Sequence, residues 1–193
     1  MDIKGLKTGF AMTGSFCTIK NVFPVLKDLV KKGAEVIPIM SKTVANYDTR
    51  FGKSEDIIRE VENITSKKII KTITEAEPIG PKKLLDVLVV APCTGNTIAK
   101  ISNAITDGPV TMACKSHLRN NRPIVIAVST NDGLGANAKN IGTLLNLKNI
   151  YFVPFKQDAP ESKPNSLMAK NELIINAIEE SLKGNQIQPL LTT

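Results

Sequence analysis

A run of five apolar residues, Val87-Leu88-Val89-Val90-Ala91, constrains the fold more than any other part of this chain. A strand with one face in water alternates polar and apolar residues, because successive side chains point to opposite faces. A Val-rich run without that alternation is buried on both faces, which is the mark of a parallel sheet covered by helices. The segments Thr8–Thr13, Ala34–Met40, Pro123–Val128 and Ile150–Val153 read the same way. Between them the apolar period becomes helical. Val22, Val25, Leu26, Leu29 and Val30 share one helical face, and Gly33 stops that helix. Ile98, Ile101 and Ile105 mark a helix starting near Gly95, and Val110–Asn120 and Ala138–Leu147 mark two more. Ser166 is expected to cap a last helix carrying Ile174, Ile175, Ile178 and Leu182, with Gly184 after it. Residues 41–56 and 74–86 carry no regular pattern.

Strand–helix–strand alternation implies right-handed crossovers between parallel strands. The expected fold is therefore α/β: a single doubly wound parallel sheet with helices on both faces, a Rossmann- or flavodoxin-like three-layer architecture. The 193 residues suit one domain over residues 1–184, followed by a short C-terminal arm over 185–193 suited to docking on a neighbour.

Composition removes several function classes. The cysteines stand at 17, 93 and 114, an odd number at wide spacings, which excludes a disulfide framework and a CxxC zinc site. His117 is the one histidine, so histidine metal sites and Ser/His/Asp triads have no material, and no metal is expected. His117 itself is expected to face solvent or to cap the end of a helix. The net charge of +7 reads as solubility or attraction of an anion. With no Trp and 4% aromatic residues there is no stacking platform for nucleic acid, and no nucleic-acid partner is expected. No apolar run reaches bilayer length, and the segment from Met1 to Lys7 lacks the apolar core of a secretory signal. No membrane partner is expected, and reduced thiols point to the cytoplasm.

In an open α/β sheet, ligands bind beyond the carboxyl ends of the strands, at the switch point. The segments following the strands are alike in composition: Thr13-Gly14-Ser15-Phe16-Cys17-Thr18, Ser41-Lys42-Thr43, Pro92-Cys93-Thr94-Gly95-Asn96-Thr97 and Ser129-Thr130-Asn131-Asp132-Gly133. Small hydroxyl and glycine residues let backbone N–H groups and side-chain hydroxyls surround a phosphate. The same residues serve turns and caps, so one such loop means little and several on one edge mean more. A G-x-G-x-x-G fingerprint is missing. Gly52-Lys53-Ser54 fails as a Walker A motif, because Tyr47 stands where a glycine is needed; it reads as a turn and helix cap. A mononucleotide phosphate held by hydroxyls and backbone remains, which suits FMN.

At these loops the chain resembles a known family. Thr13-Gly14-Ser15, with the segment from Ala91 to Val110, is similar to the flavoprotein family of FMN-dependent cysteine decarboxylases. The resemblance implies that Gly14, Ser15, Ser41, Thr94, Asn96 and Thr97 contact FMN, with Ser129 and Thr130 beside them, and that Asn131 lies over the substrate. It also implies a homo-oligomer, since the family builds its flavin site at subunit contacts. Further stretches (Asn46–Gly52, Glu77–Lys82, Arg119–Pro123, Ser129–Gly135, Pro154–Asp158, Lys163–Ser166 and Gln188-Pro189) resemble a branch that works as one half of a two-component oxidoreductase. In that branch the partner is a separate, dehydrogenase-like companion (the A subunit), able to carry NADP or NAD. The implied reaction oxidises dihydrodipicolinate, or its hydrated precursor, to dipicolinate in the mother cell of a spore-forming bacterium. The alternatives are a non-catalytic partner of that companion with a vestigial FMN pocket, and an FMN-dependent decarboxylase. Against the latter, the chain has no histidine between 41 and 116 and no cysteine after Cys114, where the decarboxylases carry theirs.

A dicarboxylate substrate calls for cations. Lys42, Arg50, Arg119 and Arg122 are the candidates. Arg50, in the loop after the second strand, is the expected carboxylate clamp, whereas Arg119 and Arg122 precede a strand and fall on the far side of the sheet. Cys17 and Cys93 are expected to pack, and Asp107 and Asp132 to form turns.

Overall fold

The computed structural model describes residues 3–192. Among these residues, one seven-stranded sheet forms the centre. Its parallel part comprises β1 (Lys7–Met12), β2 (Glu35–Met40), β3 (Val87–Cys93), β4 (Ile124–Thr130) and β5 (Ile150–Phe152), in the order β2-β1-β3-β4-β5. That order reverses between β1 and β3, as in flavodoxin-like sheets, and so creates a crevice at their carboxyl ends. Every residue of β3 is buried, as its unbroken apolar run requires.

Helices cover both faces. On one side α1 (Phe23–Lys31) packs against α3 (Ser54–Thr65) and α8 (Ile174–Leu182). On the other, α5 (Gly95–Ser102) packs against α6 (Pro109–Leu118) and α7 (Ala138–Leu145), and α6 against the short α4 (Ile73–Ala76). The short α2 (Lys42–Asn46) follows β2 directly, with Ser41 accepting a hydrogen bond from Val44 N as its cap. A 3-10 turn (Ile19–Val22) leads into α1, and Pro24 sits within its first turn, where its missing N–H costs nothing.

The structure corrects the sequence reading in four places. The sheet is mixed: two short strands, β6 (Phe155–Lys156) and β7 (Leu167–Ala169), run antiparallel, and β7 pairs with the end of β4 at Ser129 and Thr130. β5 pairs only with the first half of β4, so β7 takes over its edge just where the binding crevice begins. Ser166 is not a helix cap; it is buried immediately before β7, and the last helix starts at Ile174. α3, amphipathic but rich in charge, starts at the turn and cap expected at Gly52-Lys53-Ser54, but the sequence reading gave it no extent. His117 is 1% exposed and neither faces solvent nor caps a helix. Its Nε2 lies 3.0 Å from Pro123 O, and its Nδ1 is buried without a partner.

Residues 185–192 lie against the same chain. Gln186 brackets Phe152, accepting from its N at 2.8 Å and donating to its O at 2.7 Å. Phe155 N donates to Leu190 O at 3.0 Å, and Thr192 N donates to Phe155 O at 3.1 Å. Arg122 sits at the amino end of the sheet, where its guanidinium donates to the Leu85 carbonyl and pairs with Asp86 at 3.3 Å.

Candidate functional site

Thr13 joins the turn after β1 to the turn after β3. The residue is 1% exposed, and its hydroxyl donates to Pro92 O at 2.7 Å and accepts from Thr94 N at 2.9 Å. Between Val90 and Cys93 the pairing of β3 with β4 shifts register, and Pro92, which has no N–H for a ladder, occupies that irregularity. The shift carries Thr94 out to the rim, where its hydroxyl accepts from Thr97 N at 3.4 Å and caps α5. Tertiary hydrogen bonds to Thr13 therefore tie the two crevice loops to each other.

A cavity of about 470 Å³ opens at the carboxyl ends of β1, β2 and β3. Gly14, Ser41, Thr94, Asn96 and Thr97 line it together with Lys42 and Lys100. The start of α6, Gly108 to Thr111, closes its far wall; Thr111 Oγ1 accepts from Gly108 N at 3.3 Å, and the N–H groups that follow Pro109 are left to the cavity. Two helix N-termini, of α5 and α6, thus face the same space as two lysines. Free N–H groups and the positive ends of helix dipoles favour an anion there. Lys100 holds Asp107 at 2.7 Å and pulls its carboxyl below the usual range, so a bound anion would share that ammonium. At Gly14 the space is tight: a Cβ there would lie 3.2 Å from Cγ2 of the exposed Thr43, which would have to shift by a few tenths of an ångström.

A second cavity, of about 360 Å³, adjoins the first, and Gly14 and Thr94 line both. Ser15, Ser129, Thr130 and Asn131 line this lobe, with Phe16 and Phe51 as apolar wall. Three hydroxyls form a closed ring: Thr18 Oγ1 lies 2.8 Å from Ser15 Oγ, Ser15 Oγ 2.8 Å from Ser129 Oγ, and Ser129 Oγ 3.0 Å from Thr18 Oγ1. Hydroxyl protons rotate freely, so such a ring can turn donors toward a ligand at little cost. Asn131 Oδ1 accepts from Ser166 Oγ at 3.3 Å.

Behind these lobes runs a ladder of polar side chains. Thr130 Oγ1 donates to Asp132 Oδ1, Asn137 Nδ2 donates to Asp132 Oδ2 at 2.7 Å, and Asn140 Nδ2 donates to Asn137 Oδ1 at 2.9 Å. Asp132 also accepts through its carbonyl from Gly135 N and Asn137 N, as a turn former does.

The loop residues expected from the sequence thus gather on one rim. Arg50 does not join them: it is exposed, its guanidinium lies 4.8 Å from the centroid of the Phe51 ring, and neither lobe is lined by it. Lys42 lines the first lobe. Lys100, Thr111, Asp158 and Lys163 line the lobes without having been singled out from the sequence. The start of α6 was legible, since Gly108-Pro109 puts proline in the first helical turn. Asp158 and Lys163 stand in segments that carry the resemblance, but no pattern placed them at the site, because they belong to an irregular loop that only the antiparallel β6–β7 pair brings to the crevice. Cys93 lies buried beneath the rim, where burial pushes its thiol well above the ordinary range, so it packs and does not attack. Cys17 is exposed beside the second lobe.

Comparison with known proteins bears on the family and the fold. The Flavoprotein family model matches residues 2–183. The B subunit of dipicolinate synthase from Bacillus subtilis (strain 168) is 48% identical over 190 residues, which cover 98% of this chain and 95% of that protein. The crystal structure of the dipicolinate synthase B subunit from Bacillus halodurans C has a TM-score of 0.92 at 47% identity, covering 100% of this chain and 99% of that chain. The FMN-dependent cysteine decarboxylase SpaF has a TM-score of 0.65 at 19% identity, covering 94% of this chain and 97% of its own, and shares the fold. The chain belongs to the Flavoprotein family.

Proposed function

We propose that the chain binds FMN across the two lobes and serves as the flavin-carrying B subunit of a dipicolinate synthase. The observation that carries this reading is the continuous groove itself. One lobe is built of hydroxyls, two helix N-termini, Lys42 and the Lys100–Asp107 pair, and it shares Gly14 and Thr94 with a second lobe of mixed polar and apolar wall. The donor set of the first lobe fits a phosphate dianion, and the groove joins it to a space of ligand-site size. Near-full-length identity of 48% to a dipicolinate synthase B subunit supports the reaction assigned.

When bound, FMN supplies a two-electron acceptor. The chain's own residues do the rest. Gly14, Ser15, Ser41, Thr94, Asn96 and Thr97 hold the cofactor, with Ser129 and Thr130 beside it. Asn131 orients the substrate from the carboxyl end of β4, and Phe16 and Phe51 form the apolar wall beside it. The substrate, dihydrodipicolinate or its hydrated precursor, is a small dicarboxylate whose oxidation forms an aromatic ring. The dehydrogenase-like A subunit of dipicolinate synthase is the partner, and it would be able to carry NADP or NAD. Self-association belongs to this reading: Tyr47 and Leu134, on loops after β2 and β4, are 63% and 50% exposed and offer apolar contact. The setting is the cytoplasm of a sporulating mother cell. Among the described residues, no helix is long and apolar enough to cross a membrane.

Titration of the purified chain with FMN is the test. Quenched flavin fluorescence and a raised melting temperature are expected, with stabilisation of about 2.7 kcal/mol at a hundredfold excess over Kd. An unchanged melting temperature and free flavin fluorescence would sink the reading. Asn96 is exposed at the first turn of α5, so Asn96→Leu should leave the unliganded melting temperature unchanged while weakening FMN about tenfold. Parallel melting curves and titrations of both proteins check this, and undiminished affinity would move the cofactor elsewhere.

A further inference from the structure

Neither lysine of the first lobe lines the second, and Arg50 lines neither. Among the described residues lining the second lobe, Lys163 is the single cation. It lies on the loop between β6 and β7, with its side chain half exposed and its Nζ 3.4 Å from Asp158 Oδ2. That is a long, soft contact for a charged pair, whose good distance is nearer 2.8 Å. The other carboxylate oxygen, Asp158 Oδ1, is buried with no partner. Ser166 Oγ stands close enough to help hold the Asp158 carboxyl below its usual range against the opposing effect of burial. Yet its one proton is donated to Asn131 Oδ1. Asp158, Lys163, Ser166 and Asn131 therefore form an under-satisfied polar cluster, and all of them line the same lobe as Phe16 and the Ser15–Thr18–Ser129 ring.

We propose that Lys163 is the cation that seats a carboxylate of a planar aromatic dicarboxylate in the second lobe, with Asp158 as the internal counter-ion that the ligand displaces. This deepens the function proposed above and rests on it for the choice of ligand. The chemistry is complementary throughout. A flat ring lies against Phe16 and Phe51, one carboxylate takes the Lys163 ammonium, and the other meets Thr18 Oγ1, the hydroxyl of the ring that the flavin leaves unused. A cation already weakly paired lets the site rest without an unpaired charge and still exchange partners when an anion arrives. Ser166 is then free to turn its proton from Asn131 to Asp158, leaving the Asn131 amide to the ligand.

The probe is pyridine-2,6-dicarboxylate, titrated calorimetrically into the full chain with and without FMN. Lys163→Met should weaken the dicarboxylate about tenfold, with FMN affinity unchanged, and Lys163→Arg should recover most of the loss. Arg50→Ala should leave dicarboxylate affinity as it is. Asp158→Asn should tighten it severalfold by freeing the ammonium and removing a repelling charge. Unchanged affinity in Lys163→Met, or a loss in Arg50→Ala in its place, overturns the assignment, and weaker binding in Asp158→Asn overturns the counter-ion. Each of these failures leaves FMN binding standing. Conversely, a parent chain that ignores FMN but binds the dicarboxylate through Lys163 overturns the flavin reading alone.

Discussion

Gly95→Ala is expected to cost about 3 kcal/mol of folding stability and to abolish FMN binding, although the same exchange in an ordinary helix stabilises by up to about 1 kcal/mol. Gly95 is the first residue of α5, and its backbone is not in the left-handed region, so the requirement is one of space. A Cβ placed there would lie 2.5 Å from Asn137 Nδ2, 2.6 Å from Asp132 Oδ1 and 2.6 Å from Thr130 Oγ1. A single long side chain could swing away. These three cannot, because each is tied to the next: Thr130 to Asp132, Asp132 to Asn137, and Asn137 to Asn140. Relieving the clash breaks at least one partly buried hydrogen bond or pushes α5 off β4, and both outcomes move Thr94, Asn96 and Thr97 away from the cavity. Gly142→Ala in α7 is the matched control. That glycine is exposed with open space around its Cα, so it should gain stability. Urea unfolding of both variants, with FMN titration alongside, decides the matter. A Gly95→Ala protein as stable as its parent would show that the ladder behind the site yields freely.

That ladder also marks where sequence reasoning stops. The parallel strands were legible because double burial leaves no room for polar residues, and β3 shows it in an unbroken apolar run. The rim loops were legible for a related reason: a strand-to-helix turn facing a ligand needs glycine and hydroxyl residues, and Thr13, Gly14, Thr94 and Thr97 supply them. α3 was legible only at its cap, Gly52-Lys53-Ser54, because its buried face is only Ile57, Val61 and Thr65, too sparse against its charges to declare a period. β6 and β7 were missed because strands of two and three residues have no period at all; their existence depends on the free edge that β5 leaves beside Ser129 and Thr130. With them went Asp158, Lys163 and Ser166, whose position is purely tertiary. Arg50 shows the converse. Its place in the chain put it on the correct edge of the sheet, but the loop turns its guanidinium onto the Phe51 ring.

His117 is expected to make the protein lose about 3 kcal/mol of stability between pH 7 and pH 4, by a route separate from the site. Burial drives its pKa down to about 4 from the ordinary 6.5; the hydrogen bond to Pro123 opposes this, the Arg122 charge adds to it, and Asp86 opposes it again. The geometry explains the direction. Nε2 is 3.0 Å from the Pro123 carbonyl and so carries the proton of the neutral ring, donating it there. A second proton would have to sit on Nδ1, which is buried with no acceptor. The unfolded chain has no such restriction and takes up its proton near pH 6.5. Between that pH and about 4 the unfolded state therefore binds more protons than the folded one, so stability rises with pH across the window and is lost as pH falls, by at most about 1.4 kcal/mol per unit. Carboxyls held low by cations, such as Asp107 beside Lys100, add their own loss further down the scale. His117→Gln separates the two. Its amide can still donate to Pro123 O but does not titrate, so its stability should change little between pH 7 and pH 5, while the parent's declines. Urea unfolding of both proteins at half-unit pH steps measures the difference, and parallel curves would mean that His117 takes up its proton in the folded state. Since His117 ends its helix at the amino side of β4, opposite the crevice, FMN affinity of the folded protein should be the same for both across that range.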